Sequence, residues 1–551
     1  MPAMLHAVSE PAVQNAKRAA MDALAALSPF EPVARVEYSS QGRLLVVADR
    51  VPPEDALQRL AAQLTVSLLW TGSASSAPKT TVEQRVGELS NLTGYLGAFE
   101  LTFQSESGAP LMAPFDLVLD LQDVPAMRAE QPPQGYFHAP HAASLEAALA
   151  ELPEMTGEFE KPKFFAYKES LCVHSRSKKT GCNQCIDVCS TNAIRSAGDT
   201  VEVDPHLCMG CGACATVCPS GAMSYQFPRV ADRGAQLKAM LGAWRREGKG
   251  QAGAPVVLFH NGNDGRAALD AMPAGIPVHV LPLEAWHVAS IGIDVLLAAV
   301  THGAGHVAVL AAGSETPAYR AALQREIELA QVILHALGYS GKHFSLLDGV
   351  DGLTNLSTGE TPAVPAGFNG SNDKRTTIEF AVEHLLAQGK NRPEAINLKK
   401  GSPFGAIAVD TKKCTLCLAC AGACPSSALM DGGEGAEKPV LKFLERNCVQ
   451  CGLCETTCPE QAIALEPRLL LTPARKQTRT LNEAEPFNCI SCGKVLGTRQ
   501  IVDAMLGRLA GHSMFQAEGA LKRLQMCADC RVVDMMSNKN EVSILTGKPM
   551  A

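Results

Sequence analysis

CTLCLACAGACP (Cys414–Pro425) and CVQCGLCETTCP (Cys448–Pro459) follow one spacing, Cys-x2-Cys-x2-Cys-x3-Cys-Pro. Three thiols on so tight a loop can cap three irons of a cubane, because small residues let the backbone wrap the inorganic core. The fourth iron needs a thiolate from elsewhere, and where two such runs are paired it comes from the other run. One ligand set is therefore Cys414, Cys417, Cys420 and Cys458, and the other is Cys448, Cys451, Cys454 and Cys424. This crossing makes folding of the pair and insertion of its clusters a single event.

Working outward, all twenty cysteines fall into three groups, with none between residues 219 and 413. The earlier group repeats the plan. CMGCGACATVCP (208–219) supplies Cys208, Cys211 and Cys214, completed by Cys189 from the preceding copy. That preceding copy, SKKTGCNQCIDVCSTNAI (177–194), deviates: Lys179 stands at the first cysteine position and Ser190 at the proline. An alanine checks the register. Ala193, Ala222, Ala428 and Ala462 each lie four residues after the last cysteine of their copy, so the deviant repeat keeps its frame. Ligand counting assigns its cluster to Cys172, Cys182, Cys185 and Cys218, with Cys172 brought in across a nine-residue loop. The alternatives are a three-iron cluster or ligation by His174. Lys179 is either a cation beside the cluster, favouring its reduced state, or a solvated loop lysine next to Lys178.

The last group is CISC (489–492) and CADC (527–530). Two such knuckles suit one tetrahedral metal held by four thiolates, so Cys489, Cys492, Cys527 and Cys530 are read as a structural Zn2+ site, with iron as the alternative. A site closed on four protein ligands keeps no open catalytic position.

The remainder bounds the function. A chain of 551 residues with net charge -7 and 5% aromatics calls for several domains and gives no sign of a nucleic-acid binder. The N-terminal stretch reads as an amphipathic helix without a basic, then apolar, leader, so no signal peptide is expected. The longest apolar region, 291–313, is broken by Asp294, His302 and His306 and reads as a helix followed by a buried strand rather than a membrane span. A cytoplasmic location follows. Residues 254–350 alternate strands (254–260, 276–283, 306–312, 343–348) with helices (289–303, 316–339), which predicts a parallel α/β domain. Its 312–319 turn, with Ser314 and Thr316, could hold the phosphate of a flavin, but no glycine-rich fingerprint supports one and plain helix capping accounts for both residues.

The predicted architecture is a multidomain α/β and α+β chain. It comprises an N-terminal α/β domain (1–160), a first dicluster module (165–228), a parallel α/β domain (254–350), a connector with one helix (351–400), a second dicluster module (401–470) and a C-terminal zinc-ribbon-like knuckle (486–535). Through their cysteine runs, 165–228 and 405–466 resemble bacterial two-cluster [4Fe–4S] ferredoxins. HGAGHVAVLAAG (302–313) and the helix after it resemble, more loosely, the delta subunit of methyl-viologen-reducing hydrogenase. That family carries a two-iron cluster on loops that here read LFHNGN (258–263) and AAGSETPAY (311–319), without cysteine. The whole chain resembles the ferredoxin-type proteins that accompany proteobacterial formate dehydrogenases. These resemblances imply a cytoplasmic carrier of four [4Fe–4S] clusters serving a dehydrogenase of formate or hydrogenase type, with no turnover of its own. An accessory or maturation factor is the alternative reading, and a flavin oxidoreductase a weaker one.

Replacing Cys172 by Ala is expected to cost one complete cubane, seen as a loss of about one iron (a three-iron remnant) to about four (an empty site) per chain and as a changed Mössbauer spectrum.

Overall fold

The computed structural model describes residues 10–105, 110–313, 315–433, 439–512, 515 and 519–537. The chain divides into two compact units. One runs to Tyr167 and adds Gln184–Ala197 and Val201–Lys390; the other takes Lys168–Asn183, Gly198–Thr200 and the chain from Asn391 onward.

In the first unit, the apolar run RLLVVA (Arg43–Ala48) has five buried residues in succession, as a strand covered on both faces requires. It forms parallel pairs with Thr65–Trp70 on one side and Leu117–Asp120 on the other. Seven strands make this sheet, in the order Pro110–Phe115, Phe99–Ser105, Glu83–Thr93, Thr65–Trp70, Arg43–Ala48, Leu117–Asp120, Tyr136–His138. Glu83–Thr93 is the longest of them and was not expected from the sequence; its residues are mostly polar and half-exposed, so it carries no buried stripe.

The helix Glu10–Ala25 packs against the helix Val230–Gly248 instead of closing the 1–160 domain that its sequence position suggests. Ala16 and Ala20 are fully buried, and Ala16 faces Gly248, so small residues let the helices approach closely. Lys17 adds hydrogen bonds to the carbonyls of Ile276 and Pro277, at 3.2 and 3.1 Å.

The middle domain is a four-stranded parallel sheet ordered Val280–Ala285, Val256–Asn261, His306–Leu310, Phe344–Leu347. The strand expected at 276–283 starts later, because Pro277 opens a turn whose carbonyl accepts from the Val280 N–H. The 351–400 segment is more than a connector. Its helix Lys374–Gln388 buries Ile378, Ala381, Val382 and Leu385 and packs on the helix Ile293–Thr301.

The second unit contains two three-stranded antiparallel sheets. One orders Ala395–Asn397, Ile463–Leu470 and Gly405–Val409; the other orders Leu429–Asp431, Val440–Leu444 and Thr478–Glu483. Beyond them lie the hairpin Pro486–Asn488/Val495–Thr498 and the helices Arg499–Leu509 and Ala528–Ser537. The first knuckle sits on the hairpin, whereas the second opens a helix, so the C-terminal domain is not a pair of matching ribbons. No described helix is long and apolar enough to cross a membrane.

An Ala16→Asp variant would bury an unpaired carboxylate between two helices and should lower stability by about 2–3 kcal/mol, measured by chemical denaturation.

Candidate metal centres

Each cysteine loop is shaped by left-handed backbone. In the three complete runs, the second and fourth residues after the first cysteine have positive φ: Gly210 and Gly212 at 79° each, Leu416 at 56° and Leu418 at 58°, Gln450 at 56° and Gly452 at 81°. A leucine held left-handed costs about 1–3 kcal/mol and persists only where its surroundings fix it; Leu416 is buried in the core beneath its loop. At Gly212, a Cβ would meet Ser290 at 2.6 Å, so the loop also lies flush on the middle domain.

The end of each run shares a second feature. Asn192, Gly221, Ser427 and Gln461, each three residues after the last cysteine, are left-handed in all four copies, and a buried alanine follows each. The deviant copy therefore keeps its C-terminal half. Its N-terminal half is rebuilt. Gly181 and Asn183, at the positions that turn left-handed elsewhere, do not; instead Ser177 and Lys178 (φ 51° and 65°) form the two-residue turn of a hairpin. This hairpin pairs Ser175 with Thr180 and Arg176 with Lys179.

The pairing continues toward its open end. The Gly181 N–H donates to the His174 carbonyl at 2.7 Å, and the His174 ring meets the Cys182 carbonyl through Nδ1 at 2.9 Å. The hairpin thus returns the chain so that Cys172 and Cys182 flank the same end of it. Lys179 is exposed on this hairpin, and its ammonium donates to the Thr456 carbonyl in the last turn of the helix Leu453–Thr457. Gly181 lies so close to Leu453 that a Cβ would approach Cγ to 2.7 Å.

Three cavities gather the complete sets. Cys414, Cys417, Cys420 and Cys458 line one, with Leu416, Leu441 and Glu460. Cys424, Cys448, Cys451 and Cys454 line a second, with Ile407, Phe443 and Leu465. Cys189, Cys208, Cys211 and Cys214 line the third, with Phe165, Val188 and Val203. In each, three thiols come from one run and the fourth from its partner. Of the remaining four, Cys172 and Cys182 belong to the second unit, Cys185 and Cys218 to the first.

Burial and the neighbouring thiols push Cys420 up to about 12, and burial pushes Cys211 and Cys451 up to about 11. Cys214 and Cys454 are raised further for the same reasons. Four thiolates share such a pocket only around a cationic core, which fits the donor set to iron.

Polar groups from within the runs and from outside them reach these pockets. Tyr319, fully buried, packs in one cluster with Cys211, and its hydroxyl meets that of Ser190, which donates to Gln131 Oε1 at 2.9 Å. Ser190, where a proline was expected, is thereby put to use. Thr316 caps the helix that carries Tyr319, accepting from its N–H at 3.3 Å, while Ser314 lies outside the described residues. Lys161 donates to the carbonyls of His206 and Cys208, at 2.8 Å each. In the second module Gln450 donates from Nε2 to Cys448 Sγ at 3.3 Å. Gln450 acts within its own run, whereas Tyr319 and Lys161 have no sequence signature tying them to a cysteine far away.

The C-terminal knuckles form a different centre. The sulfurs of Cys489, Cys492, Cys527 and Cys530 all lie within 4.8 Å of one another, with Cys492 and Cys527 at 3.7 Å. A tetrahedral ion with Zn–S near 2.3 Å sets sulfurs about 3.8 Å apart, so the set fits a single ion. The Cys527 N–H donates to Cys489 Sγ at 3.2 Å and pulls that thiol down to about 6. A separate cleft, walled by Trp244, Arg245, His302 and Thr361, is lined by no cysteine.

The chain matches known families over its cysteine runs. Residues 180–222 match a 4Fe–4S dicluster domain, and 407–430 and 440–463 each match a 4Fe–4S binding domain. The dicluster match begins after Cys172. Hydrogenase-4 component A of Escherichia coli (strain K12) is 42% identical over 96 residues, which is 16% of this chain and 44% of that protein. The isethionate sulfite-lyase activating enzyme of Oleidesulfovibrio alaskensis (strain ATCC BAA-1058 / DSM 17464 / G20) is 45% identical over 70 residues, 12% of this chain and 21% of that one. Ferredoxin 7Fe of Hydrogenibacillus schlegelii is 38% identical over 42 residues, 8% of this chain and 54% of that one. The chain thus spans about half or less of the curated relatives it matches. These matches give the chain ferredoxin-type 4Fe–4S domains over the matched residues.

Tyr319→Phe removes a hydroxyl from Cys211 and should lower the reduction potential of one cluster with no loss of iron, read by redox titration under EPR.

Proposed function

We propose that this protein is a cytoplasmic polyferredoxin that relays single electrons to or from a partner dehydrogenase through four [4Fe–4S] clusters. The observation that carries the reading is the gathering of three crossed sets of four cysteines in three cavities. The fourth cluster is assigned by ligand count to Cys172, Cys182, Cys185 and Cys218; the hairpin that returns Cys172 toward Cys182 supports the relocated ligand. Cys489, Cys492, Cys527 and Cys530 hold a structural Zn2+.

When bound, the clusters supply reversible one-electron chemistry over a wide range of potentials. The chain's own residues then do three things. Apolar walls such as Phe443 and Leu441 exclude water from the thiolates. The Tyr319 and Gln450 donors and the Lys161 ammonium offset the negative charge that an added electron brings. The C-terminal metal domain holds its segment together without an open coordination position.

A hydrogenase-type partner is supported by the likeness to a hydrogenase component, and a formate dehydrogenase by the resemblance of the whole chain. The likeness to an activating enzyme favours, as a second reading, a maturation role. A deletion strain separates the two: loss of an electron path spares the partner's dye-linked activity, and failed maturation abolishes it.

Anaerobically purified protein should contain about sixteen irons, matching acid-labile sulfide and about one zinc per chain. A fully loaded value of about twelve to fifteen irons would remove the fourth cluster or make it a three-iron centre.

A further inference from the structure

In three of the four cysteine runs, the residue two places after the last cysteine carries a hydroxyl lying 3.6 Å from that cysteine's sulfur. These are Thr191 at Cys189, Ser220 at Cys218 and Ser426 at Cys424. Each can donate to the sulfur and so favours the reduced state of the cluster it ligates. The fourth run breaks the pattern. Glu460 follows Cys458 at this position and lines the cavity of Cys414, Cys417, Cys420 and Cys458. A carboxylate there opposes the arrival of an electron, where the other three runs assist it.

The carboxylate is not left alone. Its side chain, 17% exposed, is paired with Arg508 from the helix Arg499–Leu509 of the C-terminal four-cysteine domain. The same helix is fixed to the same cluster loop at a second point. Thr498, its N-cap and 2% exposed, donates from Oγ1 to the carbonyl of Thr415, the residue after Cys414, at 2.8 Å. Cys417, in that loop, is exposed, so this site faces solvent.

We propose that the C-terminal four-cysteine domain sets the reduction potential of the cluster on Cys414, Cys417, Cys420 and Cys458 by laying Arg508 against Glu460. The inference rests on the four-cluster reading above. One electron from an external one-electron donor adds one negative charge to an assembly already anionic through its four thiolates. With Arg508 in place the nearby carboxylate is compensated; without it the carboxylate repels that electron. The domain is thus a potential-setting clamp, and its metal does no electron transfer itself.

Redox titration of the whole protein under EPR, with iron and sulfide measured on each sample, tests this. Arg508→Ala should lower the reduced-to-oxidised ratio of one cluster, at fixed potential, about tenfold, a shift of about 59 mV for a one-electron couple. Glu460→Gln should move the same cluster the other way. The double variant should return toward wild type, and Arg508→Lys, which keeps the charge, should stay with it. Fully loaded protein in which neither single variant moves a cluster, or both move it in the same direction, overturns the proposal. Wild-type protein that cannot be loaded with four clusters fails the reading on which it rests, a separate result seen in the iron count alone.

Discussion

A loop of three closely spaced cysteines can reach three corners of a four-iron core and no more, and the fold answers that geometric limit. The fourth thiolate must arrive from a second loop, so the loops come in pairs, and Cys189, Cys424 and Cys458 each serve the partner loop's cavity. The backbone follows the same demand. A left-handed residue three places after each last cysteine, then a buried alanine, turns the chain away from the cavity and into the core. Buried thiols raised well above their ordinary range cannot all ionise unless cations accompany them, so the core of each module is completed by what it binds.

That limit also accounts for the way the deviant copy departs from the others. It may lose its first cysteine but cannot lose the turn that positions its last one, because Cys189 belongs to the neighbouring cavity. The retained Asn192–Ala193 turn and the rebuilt 175–180 hairpin divide along that line. Lys179 occupies an abandoned ligand position, and its cation caps the carboxyl end of a short helix, where a positive charge is favoured.

What the sequence discloses is what repeats. The cysteine spacing gave the three gathered sets, and the alanine offset gave the register of the fourth copy. The buried strand Val256–Asn261 was legible because a strand covered on both faces has to be apolar throughout. Glu83–Thr93 was not, since it draws its order from backbone pairing to strands on either side and buries little. The helix Glu10–Ala25 was legible as a helix, but its partner lies more than two hundred residues away and no local pattern names it. Tyr319, Lys161 and Arg508 escape for the same reason: an ordinary tyrosine, lysine or arginine acquires meaning only from the sulfur, carbonyl or carboxylate that the fold sets beside it.

These long-range groups are unequal, and the inequality has a consequence. The Cys211 cavity receives a buried tyrosine hydroxyl and has a lysine at the adjoining carbonyls. The Cys448 cavity receives one side-chain amide. The Cys458 cavity receives a carboxylate with its own arginine. Three cavities of one cysteine spacing are therefore dressed differently, by residues within the runs and by residues from outside them. Identical ligands give a protein a set of similar stations; a relay with a preferred direction needs them dissimilar. In this chain the dissimilarity comes both from residues beside the cysteines, Gln450 and Glu460, and from distant ones, Tyr319, Lys161 and Arg508.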